Sequence, residues 1–270
     1  MDFWLPVAVV FGANLLFGIF CQIVKDNSWI DVWWGWTFVL PNVALIIKKF
    51  IMEEEVVLRV WVVLAVVTIW ALRLSLHIGL RHKGEDFRYV EMRQRWTNEG
   101  LYLVKTFGYI FGMQGLFSLI ANGAALYVTI YSAGKDLIWL DYLGVAVWLF
   151  GFIFEWVGDQ QLKMHLADRT PGKKKFIMWG LWRYTRHPNY FGESVLWWGV
   201  WLIACAVEWG FVTVFAPLFI TILVRWVSGV PLLEKKYQNN PEFIAYCEET
   251  NVFVPWCVSK RKTEQMLNDP

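Results

Sequence analysis

Long apolar stretches alternate with short polar segments along this chain of 270 residues. Because a helix needs about 20 mostly apolar residues to cross about 30 Å of hydrocarbon, the pattern predicts seven membrane spans. These spans cover approximately residues 3–24, 29–47, 56–80, 107–131, 137–158, 191–207 and 210–230. The chain is therefore predicted to be an all-α, polytopic integral membrane protein.

The composition agrees with this pattern. Hydrophobic residues make up 57% of the chain and charged residues only 18%, whereas soluble domains are nearer to half apolar and a quarter charged. The composition excludes a disordered or collagen-like chain. The formal net charge of +2 gives no reason to expect a polyanionic partner, so no nucleic-acid binding is predicted.

Lys and Arg are distributed unequally between the loops on the two sides of the predicted membrane. One side carries 19 of the 25 and the other carries four, counting Arg59 near the outer end of the third span, while Arg73 and Arg225 lie deeper within spans. Because basic loops stay in the inner compartment, we expect the amino terminus outside and the carboxyl terminus inside. The predicted location is the endoplasmic reticulum, the inner mitochondrial membrane or a bacterial inner membrane.

Ionisable residues at membrane depth are candidates for function, because a charge in hydrocarbon is costly unless it is paired or faces water. Residues four apart share a helix face, so three pairs each direct two polar groups the same way. The candidates are Asp31, Arg73 with His77, Glu155 with Asp159, Asn189 with Glu193, and Arg225. Either they line a polar cavity open to the inner side, or they pair with one another and lock the helices together.

Cysteines and nucleotide motifs give no further candidates. The four cysteines have no paired metal-ligand spacing, so neither a disulfide nor a metal site is indicated. The glycine patterns of dinucleotide-binding and phosphate-binding loops are absent from the sequence, which excludes a Rossmann or P-loop nucleotide site.

Residues 180–193, Gly-Leu-Trp-Arg-Tyr-Thr-Arg-His-Pro-Asn-Tyr-Phe-Gly-Glu, form the most informative motif. Pro188 suits the first turn of a helix, and Arg183, Arg186 and His187 supply donors at that helix start, where anions such as phosphates are favoured. The rings of Tyr184 and Tyr190 offer flat faces to a ligand ring. The alternative is a helix start that aromatic and arginine side chains anchor at the membrane interface.

This motif resembles the carboxyl-terminal domain of the steroid 5-alpha-reductase superfamily, and is most similar to its uncharacterised, largely bacterial-type branch. The resemblance extends over most of the chain. It includes Ser28-Trp-Ile-Asp-Val-Trp-Trp-Gly35, Trp70-Ala-Leu-Arg-Leu74, Gly84-Glu-Asp-Phe-Arg-Tyr89, Val227-Ser-Gly-Val-Pro-Leu-Leu-Glu-Lys-Lys236, Pro241-Glu-Phe-Ile-Ala-Tyr246 and Phe253-Val-Pro255.

The resemblance implies a seven-span enzyme that reduces a carbon–carbon double bond conjugated to a carbonyl, with NADPH bound from the cytosolic side. The substrate it implies is a lipophilic small molecule within the membrane lipid. The residues it implies for NADPH are Asp159, Asn189, Glu193 and Arg225, then Arg183, Tyr184, Arg186, His187 and Tyr190 along the same groove, with Lys163 and Arg169 as further phosphate contacts.

The sequence departs from the steroid reductases at the catalytic donor. Those enzymes use a Gln-Glu pair and a tyrosine, and no Gln-Glu dipeptide occurs in the first three spans. Asp31, Arg73 and His77 are our candidates to replace them.

Two other functions remain open. Isoprenylcysteine carboxyl methyltransferases and phospholipid methyltransferases share an Arg-His-Pro-x-Tyr sequence, and in that interpretation His187, Tyr190 and Glu234 would hold S-adenosylmethionine. The segment from Ser228 to Lys236 is more similar to the reductases than to the paired-glutamate motif of the methyltransferases. The protein could also be a non-catalytic, reductase-like subunit that contacts partners in a membrane complex.

We expect one membrane domain over residues 1–270. Within it, residues 1–135 form a four-helix part on the substrate side, residues 136–258 form the reductase-like part with the cofactor motif, and residues 259–270 form a polar tail.

Overall fold

A computed structural model of the chain describes residues 3–134, 136–170, 172 and 174–256. Within these ranges the regular elements are helices, and the one bridge between extended segments pairs Thr185 with Asn251. The predicted polar tail lies outside the described residues. The all-α class is confirmed.

Thirteen α-helices occur in the described part of the chain. They are α1 (Trp4–Val24), α2 (Trp29–Trp33), α3 (Trp36–Ile51), α4 (Leu58–Gly79), α5 (Phe87–Asn98), α6 (Tyr102–Lys105), α7 (Met113–Ala121), α8 (Gly123–Tyr131), α9 (Trp139–Ala167), α10 (Pro188–Ala204), α11 (Phe215–Ile222), α12 (Val230–Lys235) and α13 (Pro241–Glu249). Two π-helical segments, Thr106–Gly112 and Leu223–Val227, and two 3-10 segments, Gly180–Arg183 and Gly210–Val214, adjoin them.

Five helical segments of the described residues are long and apolar enough to cross a membrane. They are Trp4–Val24, Leu58–Gly79, Tyr102–Ala121, Trp139–Ala167 and Gly210–Lys235. These segments overlap the first, third, fourth, fifth and seventh predicted spans. They fit a multi-pass integral membrane protein.

The second and sixth predicted spans form shorter helices. Helix α3 has 16 residues and α10 has 17, which at about 1.5 Å per residue gives about 24 and 26 Å. The predicted second span is also interrupted between α2 and α3. The interruption brings Gly35 against Ala71 of α4, so closely that a Cβ on Gly35 would lie 2.8 Å from the Cα of Ala71.

The chain divides into two compact units. The first, here called the N-terminal unit, comprises Met1–Val145 and Val200–Ala216, and the second, the C-terminal unit, comprises Ala146–Gly199 and Pro217–Pro270.

A buried ion pair within the N-terminal unit links α4 to the first turn of α9, the part of α9 that belongs to this unit. The guanidinium of Arg59 in α4 donates to both carboxylate oxygens of Asp141 in α9, at 2.7 and 2.9 Å. The side chains of Arg59 and Asp141 are only 5% and 1% exposed. Arg59 also donates to the hydroxyl of Ser132 at 3.3 Å, so this arginine fixes the connection that leads into α9.

Candidate functional site

Glycines hold α9 and α10 of the C-terminal unit in direct backbone contact. A Cβ on Gly192 would lie 2.4 Å from the backbone nitrogen of Glu155, and a Cβ on Gly151 would lie 2.5 Å from that of Leu196. These distances are shorter than van der Waals contact, so only a residue without a side chain fits at either position. As at other close helix crossings, the small residues decide which polar groups meet, and here they bring α9 beside the start of α10.

This crossing joins two of the predicted cofactor residues. The Nδ2 atom of Asn189 donates to Oδ1 of Asp159 at 3.1 Å, and Asp159 is 5% exposed. The Oδ1 atom of Asn189 is itself buried, with no hydrogen-bond partner among the residues that the structure describes. Leaving a buried acceptor unsatisfied costs roughly 1–3 kcal/mol, so a donor on a bound ligand would stabilise this position.

Glu234 of α12 connects the motif to the end of the chain's seventh apolar segment. Its Oε1 atom accepts from Nε2 of His187 at 2.9 Å and from Nε of Arg186 at 2.8 Å. The ring of Tyr190 stacks on the imidazole of His187, with 5.7 Å between ring centroids and 15° between ring planes. The structure therefore brings together His187, Tyr190 and Glu234.

His187 is 5% exposed, and its environment favours the neutral imidazole. Burial is the largest influence on the pKa of His187 and, together with the positive charges of Arg186 and Arg225, outweighs the hydrogen bond to Glu234, so that the pKa lies below the usual 6.5. The Nδ1 atom is buried and has no hydrogen-bond partner in the described part of the chain.

The segment over residues 250–256, here called the C-terminal strap, pairs with the motif. The backbone nitrogen of Arg186 donates to the carbonyl of Asn251 at 2.8 Å, and the Thr185 hydroxyl donates to the carbonyl of Phe253 at 2.7 Å. The Nη1 atom of Arg186 donates to the carbonyl of Thr250 at 2.7 Å. Arg186, which the sequence predicts as a cofactor contact, thus directs its donors to the strap and to Glu234.

Several other predicted cofactor contacts lie on the surface. The side chains that are exposed are Lys163, Arg169, Arg183 and Tyr184. Lys163 lies on the last turns of α9, whereas Arg169 follows that helix. All four side chains are accessible to the charged groups of a ligand, and none belongs to the buried polar residues around His187.

Arg225 and Glu193 are both half-buried. Arg225 lies in the π-helical segment Leu223–Val227, its guanidinium carbon 5.2 Å from the ring centroid of Trp226, and its charge contributes to the lowered pKa of His187. Glu193 lies one turn after Asn189 in α10. Short π-helical segments are frequent at functional sites.

Asp31 of the N-terminal unit belongs to a second polar cluster. Its Oδ1 atom accepts from the hydroxyl of Tyr89 at 2.7 Å, and its Oδ2 atom accepts from Nη2 of Arg88 at 3.0 Å. Arg88 also donates to Asp86, which caps the start of α5. Burial and the neighbouring carboxylate of Asp31 hold the pKa of Tyr89 well above 10.0, so Tyr89 keeps its proton.

Arg73 and His77, the other predicted catalytic residues, are half-buried on α4. The Nε2 atom of His77 lies 3.0 Å from Nη1 of Arg81. Between them on the helix, the hydroxyl of Ser75 donates to the carbonyl of Val32 at 2.7 Å. This part of α4 therefore lies against α2, the helix that carries Asp31.

The sequence interpretation missed Arg88 and Tyr89. Both lie outside the predicted spans, where a charge carries no membrane-depth penalty and therefore gives no signal. The sequence feature that could have identified them is the segment from Gly84 to Tyr89. Asp86 in this segment is a residue type typical of a helix start, which would place Arg88 and Tyr89 in the first turn of a helix.

The family and the relative that match this chain are both described without an activity. The chain matches the model of the family described as "Protein of unknown function (DUF1295)" over residues 17–250. It is similar to an uncharacterized protein of Schizosaccharomyces pombe, C594.04c, with 24% identity over 274 aligned positions that cover 90% of this chain and 76% of that protein. No solved structure matches the chain. Because the match covers residues 17–250, which is most of the chain and includes Asp31, the whole motif and Glu234, the chain belongs to the DUF1295 family.

Proposed function

We propose that this protein is an NADPH-dependent reductase of a conjugated carbon–carbon double bond in a lipophilic, sterol-like or other enone substrate within the membrane. The observation that carries the proposal is the pair of buried acceptors in the motif, Oδ1 of Asn189 and Nδ1 of His187, which have no partner among the described residues. Such atoms fit a site that receives a polar ligand. The resemblance of the motif to the steroid 5-alpha-reductases supports NADPH as that ligand.

The chemistry requires a donor for the substrate carbonyl. When bound, NADPH supplies the hydride that adds to the β carbon of the enone, and negative charge then collects on the carbonyl oxygen. A hydrogen-bond donor at that oxygen lowers the barrier, and a proton adds to the α carbon. We propose Asp31, Arg73 and His77 as the residues that serve this step. Tyr89 and Arg88 position Asp31, donating to its two carboxylate oxygens at 2.7 and 3.0 Å.

We also propose seven spans, with the amino terminus outside and the carboxyl terminus inside. Helices α3 and α10, with 16 and 17 residues, would supply the second and sixth spans across a locally thinned bilayer. An odd number of spans puts the termini on opposite sides. The basic inner loops would then share a compartment with the motif and with a soluble cofactor.

A methyltransferase that uses S-adenosylmethionine is the second candidate. The observation in its favour is the contact of Glu234 with His187, at 2.9 Å, and the stacking of Tyr190 on His187. These are the three residues that the resemblance to the membrane methyltransferases implies for the cofactor.

Isotope transfer tests the reductase directly. The purified protein would be incubated in detergent with a membrane lipid extract and with NADPH that carries deuterium at the reactive C4 position. We expect a lipid product that has gained one deuterium from NADPH and one hydrogen from water. We expect this product to be absent with the Asn189→Ala and Glu193→Ala variants. A methylated lipid formed only with S-adenosylmethionine would favour the second candidate, and the absence of both products would favour a non-catalytic subunit.

A further inference from the structure

Two carboxylates decide which atoms the motif presents to a ligand. An ionised carboxylate can only accept hydrogen bonds. The Oδ1 atom of Asp159 accepts from Nδ2 of Asn189 at 3.1 Å, and this contact turns the Nδ2 of the amide towards α9. Glu234, which Arg186 holds ionised with two further hydrogen bonds, requires the proton of His187 to be on Nε2.

The remaining polar atom of each side chain must then be an acceptor. For Asn189 this atom is Oδ1. For His187 it is Nδ1, because the low pKa of the buried ring keeps it neutral and its proton is on Nε2. Both atoms are buried, and neither has a hydrogen-bond partner among the residues that the structure describes.

We propose that the motif recognises its ligand through N–H donors of a carboxamide or an amino group rather than through phosphates, and that Asp159 and Glu234 are the positioning residues that impose this polarity. Phosphate oxygens carry lone pairs, which the lone pairs of Oδ1 and Nδ1 would repel. This inference rests on the proposed function, in which the ligand is NADPH. NADPH carries two such groups, the carboxamide of its nicotinamide and the amino group of its adenine.

The sequence predicts a phosphate site at this helix start, and the contacts of Arg186 do not support that prediction. A helix start that carries Arg186 and His187 predicts phosphate binding, but the donors of Arg186 are directed to Glu234 and to the C-terminal strap. The phosphates of the ligand would instead meet the exposed basic residues Lys163, Arg169 and Arg183.

Equilibrium binding of three dinucleotides in detergent tests this polarity. The first is NADPH, the second is its 3-acetylpyridine analogue, in which a methyl group replaces the carboxamide NH2, and the third is its hypoxanthine analogue, in which oxygen replaces the adenine amino group. We expect the protein to bind at least one analogue about tenfold more weakly than NADPH, because a buried acceptor is then left without its donor. The analogue that weakens identifies the group that the motif binds.

Single substitutions distinguish the residues that contact the ligand from the residue that positions one of them. Asn189→Ala or His187→Ala is expected to abolish the tenfold discrimination, because the acceptor itself is removed. Asp159→Asn is expected to do the same while Asn189 is still present, since an amide partner no longer fixes the orientation of Asn189. The exposed Asp168 provides the control, and Asp168→Asn is expected to retain the discrimination.

Different results would overturn the inference about ligand polarity and the proposal that the protein is a reductase. If the wild-type protein binds NADPH and both analogues equally, the inference is wrong and the reductase proposal stands. If Asp159→Asn discriminates as well as the wild type, the positioning role is wrong. If NADPH does not bind at all, the proposed function and this inference are both overturned.

Discussion

The Nδ2 atom of Asn189 lies 3.1 Å from Oδ1 of Asp159, and the contact depends on a helix crossing at which only glycine fits. Gly192 is three residues after Asn189 in α10, and a Cβ there would lie 2.4 Å from the backbone of Glu155. Asp159 is four residues after Glu155 on α9, so any displacement at the crossing also moves the carboxylate that orients Asn189.

Gly192→Ala is therefore expected to destabilise the protein and to weaken ligand binding together. Forcing a methyl group into this contact should lower the free energy of unfolding by about 1–3 kcal/mol, which thermal unfolding in detergent would detect as a lower Tm. A Cβ on Gly12 in α1 would have no atom within 4 Å, so Gly12→Ala is the matched control. Equal Tm values for the two variants would contradict the close crossing of α9 and α10.

Glu234→Gln is expected to loosen the contact of α12 with the motif. The substitution removes the charge that Arg186 and His187 share at 2.8 and 2.9 Å, and losing such charged hydrogen bonds costs roughly 1–3 kcal/mol. Thermal unfolding should show a lower Tm. The exposed Glu91 supplies the control variant, Glu91→Gln, which should unfold as the wild type does. A Glu234→Gln protein as stable as this control would show that the pair contributes nothing measurable.

Arg59→Ala is expected to be among the most destabilising substitutions in the N-terminal unit. It leaves the carboxylate of Asp141, 1% exposed, without its guanidinium, and breaking a buried pair in this way costs about 3–5 kcal/mol. Lys49→Ala removes the more exposed pair with Glu54 and should cost at most about 1 kcal/mol. Similar losses of stability in the two variants would be inconsistent with the buried character of the Arg59 pair.

Tyr89→Phe is expected to reduce the rate of turnover while leaving the affinity for NADPH unchanged. The substitution removes the hydroxyl that donates to Asp31 at 2.7 Å and so helps to position that carboxylate, and the displacement of a catalytic group by about 1 Å can lower the rate by about 100-fold. Single-turnover rates and NADPH binding would be measured in parallel. A large loss of NADPH affinity with an unchanged rate would assign Tyr89 to cofactor binding instead.

Stability is expected to fall below about pH 6.5, the usual pKa of histidine, through His187. Burial lowers the pKa of His187 in the folded protein, so as pH falls the unfolded chain takes up the proton first. Stability is retained above pH 6.5 and declines below it until the pH reaches the folded-state pKa. The Tm of the wild type and of His187→Gln would be measured over this range. If the two profiles were parallel, His187 would not be the group responsible.

Apolar segment length predicted most of the fold. The stretches that became α1, α4 and α9 are continuous because a run of about 20 apolar residues has one stable conformation in hydrocarbon. The interruption between α2 and α3 was not predicted, and it places Gly35 in tertiary contact with Ala71 of α4. Hydropathy alone carries no information about such a contact.

The candidate site was predictable in its residue types but not in its connections. The spacing of Asn189 and Glu193 and the sequence Arg-His-Pro-Asn-Tyr identified the motif, and the pairing of Asn189 with Asp159 joins two residues that were both candidates. The role of Arg186 was not predictable, because its partners in α12 and the C-terminal strap lie 48 to 64 residues later in the chain. Only the folded chain shows that its donors are directed to the protein.

A paired titration of the purified protein in detergent with NADPH and with S-adenosylmethionine, repeated with Asn189→Ala, distinguishes the reductase from the methyltransferase. We predict saturable binding of NADPH, weak or no binding of S-adenosylmethionine, and NADPH binding about tenfold weaker in Asn189→Ala at an unchanged Tm. Binding of S-adenosylmethionine alone, or NADPH binding unchanged by Asn189→Ala, would contradict the reductase proposal.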